Sequence, residues 1–478
     1  MTKSLSKAIA LATLVGVSAS AHAINVNQDG LGEVLLYSLY TTEEGNITNI
    51  NITNTTDQAK AVKVRFVEGQ NSQEVLDFNL YLSANDQWSG AVTQTATGAK
   101  LITADKSCTA PAIPAAGVEF RDFQYTGVNN DGGNQTTART RVGHLEVIEM
   151  GVLDTAVAKL VTADHTKAGS APADCKGLRD RFNAGGEWAT DLSKGFMTPA
   201  AVKAGDYNGG LYGSASILNI EKSTQISYDA LAIDNFMEVD GVGPKPTHAK
   251  TGSVDPSLNG GGNKFASFKN GGSAEFASSA EAISALLMKE SISNDFVLDV
   301  GRASETNWVV TFPTKRLHVY KVGTTAKPPF TNVWDTDTKS ANLGTSCHTV
   351  GIQNWDNEEF AGAPSDLDFS PSRPDSTSAL CYETNILTFN KAKVLGGEFV
   401  SYDITMQQPD FQFGWMKIGF NEPAYSLTST STPAVTVKGL PAMGFSAVTI
   451  KNNVASNGVM NNYGSSTDHK AKTTRDHK

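Results

Sequence analysis

Long apolar runs are nearly absent from this 478-residue chain. The one short run, "AIALATLVGV" from Ala8 to Val17, follows Lys3 and Lys7 and leads to "AHA" at Ala21 to Ala23. At about half of the roughly 20 residues that a spanning helix needs, it is too short for an anchor. Its tripartite pattern predicts a secretory leader cleaved after Ala23. No later window is apolar enough for a membrane helix. A membrane β-barrel leaves only a faint alternating signal. The closing "STDHKAKTTRDHK", however, is polar and unlike a lipid-facing strand.

Cysteine is scarce as well. Cys108, Cys175, Cys347 and Cys381 are the only four. None form a CxxC pair, which excludes the common metal and redox motifs. In an oxidising compartment an even count favours disulfides, and four cysteines allow three pairings. Cys108 with Cys175 and Cys347 with Cys381 is the preferred one, because each bridge closes a loop inside one expected domain.

Positive charge is in deficit: 39 Lys and Arg stand against 49 Asp and Glu, a formal net charge of −10. An acidic surface argues against nucleic acid or an anionic lipid surface as partner. Histidine is sparse too. Beyond the leader it occurs as His144, His165, His248, His318, His348, His469 and His477, with no metal-ligand spacing on a recognisable helix. GxSxG, HExxH and P-loop signatures are missing. The reading leans away from an enzyme.

Alternation is abundant. Val62, Val64 and Phe66 share one face, as do Leu76, Phe78, Leu80 and Leu82, and Ile50 with Ile52. Such period-two pieces, separated by turns like "NTTDQ" and "VNNDGGNQ", predict an antiparallel meander with one face buried on a second sheet. The fold class expected is mainly β: antiparallel β-sandwich domains of Ig-like character with one or two short helices. The expected division is a leader at 1–23, an N-terminal sandwich at 24–200, a second β-rich domain at 201–460 and a flexible polar tail at 461–478. "SSAEAISALLMKES" predicts a helix near 278–291, capped by Ser278 and Glu281, with Ile283, Leu286 and Leu287 on one face. "CKGLRDRF" allows another turn or two of helix.

Three groups of residues are candidates for chemistry. Asn25, Asn27 and Asp29, followed by Gly30, imitate the first positions of an EF-hand-type loop, with Glu33 at its ninth. Leu36 stands where the bidentate Glu belongs, so a turn after a free N-terminus is the first reading and a weak calcium site the second. Asp356, Glu358 and Glu359, with Asp366 and Asp368, offer carboxylates for a ligand, for calcium or for glycan cleavage, although loop acids are mostly solvated. Trp88, Trp308, Trp355 and Trp415 are either core residues or stacking platforms for sugars.

At "GEVLLYSLYTT", "NTTDQAKAVKVRF", "EVLDFNLYLS" and "WVVTFPTKR", and again at "GWMKIGF" and "GLPAMGF", the chain resembles a group of secreted Gram-negative bacterial cell-surface proteins without an assigned active site. The resemblance implies a surface role and carries no functional residue across. The expected function is that of an exported, non-enzymatic protein of the cell surface or extracellular matrix, structural or adhesive, able to self-associate; retention in the periplasm is the other destination. Its expected partners are itself, other surface proteins or surface glycans. A carbohydrate-binding or glycan-active protein is the alternative.

Overall fold

The structure is a computed structural model describing residues 23–164, 166–197, 209–237, 245–250, 252–260, 263–269, 271–340, 343–359, 361–362, 378–406, 411–454 and 460–477. The expected leader, but for Ala23, lies outside the described residues. The chain is mainly β, built of several antiparallel sheets with four short α-helices among the described residues.

A seven-stranded sheet has the spatial order Asn25–Val26, Leu231–Asp234, Val34–Thr41, Val142–Val152, Lys60–Glu68, Glu74–Leu82 and Cys108–Ala110. Facing it is a six-stranded sheet ordered Thr224–Asp229, Leu211–Asn219, Asn46–Asn54, Gln87–Gln94, Ala99–Ile102 and Val118–Glu119. Val62, Val64, Phe66, Phe78 and Leu80 of the first sheet meet Ile50, Ile52, Trp88 and Val92 of the second in one core. The expected period-two faces are thus the inner faces of a sandwich.

Two five-stranded sheets follow. One is ordered Ala361–Gly362, Gly351–Asp356, Phe413–Gly419, Ser291–Val297 and Lys470–Lys472; the other Ser401–Ile404, Thr384–Phe389, Glu305–Thr311, Phe445–Val454 and Met460–Asp468. The expected boundary near residue 200 does not separate two cores. Leu211–Asn219 and Leu231–Asp234 pair with Asn46–Asn54 and Val34–Thr41, so they complete the first sandwich. The core itself is continuous, running from Leu35 to Trp308, Ile386 and Phe445. Thr41 and Asn46 donate to the carbonyls of Leu395 and Val394, and Thr311 to that of Ser38.

The expected polar tail is strand. Met460–Asp468 pairs with Phe445–Val454, Lys470–Lys472 with Ser291–Val297, and Thr474–His477 with Val435–Lys438. Backbone ladders need no apolar side chains, so a polar edge segment joins a sheet without announcing it in its composition.

The expected helix forms at Ser279–Leu287, where Ser278 accepts from the Glu281 N–H. It stops short of residue 291 because Met288–Lys289 pairs with Leu440–Pro441. Cys175–Asp180 supplies the second expected helix, Thr155–Val161 and Lys315–Val319 two more. Both preferred disulfides are formed, Cys108 with Cys175 and Cys347 with Cys381. Among the described residues no helix is long and apolar enough to cross a membrane.

Candidate ligand-binding face

Large aromatic side chains on a solvent-facing strand leave apolar area in water, and the first five-stranded sheet carries two of them. Trp415 is 40% exposed and Phe413 39%. Both lie on Phe413–Gly419, two residues apart and hence on one face. Trp355, half-buried on Gly351–Asp356, stands directly opposite Trp415. Their rings stack with centroids 4.1 Å apart and planes 15° from parallel.

On its other side the Trp415 strand pairs with Ser291–Val297. Asp295 stands opposite Trp415 there, exposed. Its position is fixed from behind: the Asp295 carbonyl accepts from Trp308 Nε1 at 3.1 Å and from Ser446 Oγ at 3.2 Å. Gln353 and Lys417 form the next cross-strand pair on the same face. Gly414 brings the strands this close, because a Cβ there would lie 2.1 Å from the Trp355 carbonyl oxygen. The result is an indole wall beside a carboxylate that makes no ion pair among the described residues. A ring face accepts the C–H faces of a sugar while a carboxylate accepts hydroxyl hydrogen bonds.

Of the four tryptophans considered from sequence, Trp88 and Trp308 are fully buried core residues, while Trp355 and Trp415 come together. Asp356 follows Trp355 in the chain and therefore points to the opposite side; it is buried, and its Oδ1 accepts from the Glu358 N–H at 3.0 Å. Glu358 and Glu359 are exposed beyond the strand end. Asp366 and Asp368 lie outside the described residues. Asp295, the acid that does join the aromatics, carries no motif in the sequence. Its only signal is the alternation of "SISNDFV".

The residues of the candidate calcium loop are engaged or placed as follows. Asn25 pairs in the sheet with Asp234, Asn27 Oδ1 accepts from the Asp29 N–H, and Asp29 is exposed. Glu33, in contrast, is buried and accepts from the Met237 N–H. Burial, and then the charge of Glu149, push its carboxyl up to about 8. Among the described residues no group of three or more His, Cys, Asp or Glu is arranged to hold a metal ion.

His144, His248, His318 and His348 are buried, and His469 is half-buried. His144, His248, His318 and His469 are all held well below the usual range by burial, at about 3, 3, 4 and 4. Ser284 Oγ and His318 Nε2 are 2.9 Å apart, a nucleophile-and-base distance. Both are closed off from solvent, at 0% and 1% exposure, so no substrate reaches them.

Compared with known proteins, the chain matches no family model, no curated protein and no solved structure.

Proposed function

We propose that this is an exported, non-enzymatic adhesive protein that holds carbohydrate at the face formed by Trp355, Trp415 and Asp295. The solvent-facing indole stack beside an exposed acid is the observation that carries this reading. The leader pattern and the two disulfides agree with an oxidising destination at the cell surface or beyond. The resemblance to secreted surface proteins points the same way. A rigid sheet suits adhesion, since a preformed face loses little conformational freedom when it binds.

The test is a glycan array probed with the purified chain and with Trp415→Ala and Asp295→Asn. Retained binding at least tenfold weaker in Trp415→Ala, a loss of about 1.4 kcal/mol, is the expected result. Binding untouched by both changes, or none to any glycan, would sink the proposal. Surface protease shaving of intact cells tests the location, and a protein protected until the outer membrane is opened would place it in the periplasm instead.

A further inference from the structure

The first sandwich has an opening of its own, on a different sheet from the aromatic face. Glu74–Leu82 pairs with Cys108–Ala110 only as far as Asn79 and Ala110. There the chain turns away through Pro111, and contact with the strand edge resumes where the Arg121 N–H meets the Val75 carbonyl at 2.9 Å. Along the edge between these points lies a cavity of about 380 Å³. That is within the range of about 300–1,000 Å³ usual for small-molecule sites.

Leu76, Ile113 and Phe123 give the cavity an apolar wall. Phe123 stands 52% exposed. Its two acids are already engaged: Glu74 meets Arg65 at 2.6 Å and Asp77 meets Lys63 at 3.4 Å. Arg121 and Lys250 also line it, both exposed, and neither makes an ion pair among the described residues. The charge left unmatched is therefore positive, although the whole chain is acidic. Apolar walls with a small number of placed charges fix both the body and the head of a ligand.

We infer that this cavity binds an anionic amphiphile, a carboxylate carrying a hydrocarbon chain of medium length, with its head between Arg121 and Lys250. The carboxylate replaces the missing counter-charge and the chain covers Ile113 and Phe123.

Decanoate is the probe, titrated calorimetrically below its micelle concentration, with decanol and decylamine as comparisons. Saturable binding of decanoate is expected, at least tenfold tighter than of either comparison. The exposed pair Arg121→Glu/Lys250→Glu should lose at least tenfold, and Ile113→Trp, which fills the cavity, should abolish binding. Thermal unfolding of each variant checks that the fold is kept. Equal binding of all three amphiphiles, no binding of decanoate, or folded variants that bind like the parent would overturn the inference. The sugar face is untouched by these changes, so glycan binding survives in them whichever way the titration falls.

Discussion

His469 offers the sharpest test of how the C-terminal segment is held. Its Nε2 faces the Val309 carbonyl at 2.9 Å, which makes Nε2 the protonated nitrogen. Asn294 Nδ2 lies 3.0 Å from Nδ1 and can only donate, so Nδ1 must accept. Protonating Nδ1 would set two donors face to face in a half-buried site. Burial accordingly holds the imidazole near 4, with the Val309 hydrogen bond acting the other way. In the unfolded chain the same group titrates at about 6.5. A depressed folded value means that stability is fully present above the unfolded pKa and is lost as pH falls below it toward the folded one. Linkage with these two values gives a loss of about 2 kcal/mol between pH 7 and pH 5 from this residue. His469→Asn keeps a polar side chain and removes the titration. In urea unfolding, the stability gap between parent and variant should therefore narrow by about 2 kcal/mol over that interval, and amide exchange along Lys470–Lys472 should lose its acid sensitivity. Parallel pH profiles for the two proteins would refute the reasoning.

Three further outcomes follow from the geometry. Replacing Cys108 and Cys175 by Ser opens a loop of 67 residues, which the chain-entropy model values at about 4 kcal/mol; urea unfolding with and without reductant measures it, and a loss below about 1 kcal/mol would contradict it. Gly414→Ala forces a methyl against the Trp355 carbonyl, so the exciton couplet of the stacked indoles in circular dichroism should weaken together with glycan binding; an unchanged couplet would show that the strands tolerate the methyl. Arg139→Met strands the buried Glu68 and Asp131 carboxylates that Arg139 now holds at 2.6 Å each, at a cost of about 3–5 kcal/mol; a near-neutral result in thermal or urea unfolding would mean that one acid takes up a proton instead.

Alternation in the sequence identified the strands but understated their burial. All nine residues of Lys60–Glu68 are buried, the charged ones included. Period two was legible because Val62, Val64 and Phe66 face the sandwich. The covering of the other face was not, because Lys60 meets Glu149 at 2.8 Å and Arg65 meets Glu146 at 2.7 Å, from a strand about 80 residues downstream. Charged positions on a strand read as solvent-facing unless their distant partners are known. The same gap explains the misplaced boundary. Leu211–Asn219 looks like the start of a new unit, yet its partner is Asn46–Asn54, and no local pattern records so long a return.

Adjacency along a strand is the wrong measure for a site, and the aromatic face shows why. Asp356 follows Trp355 directly, so a reading of the sequence joins them, yet the pleat sends neighbours to opposite faces. Asp356 turns inward while Trp355 turns outward. Asp295 is far from Trp415 in the chain and opposite it in the sheet. Only the register of Ser291–Val297 against Phe413–Gly419 creates that pairing, and a slip of one residue would bury the acid and expose Asn294. Asn294 resists the slip: its side chain donates to the Thr467 carbonyl at 2.7 Å and lies against His469. The polar C-terminal strand thus helps to hold the register on which the acid beside the indole stack depends.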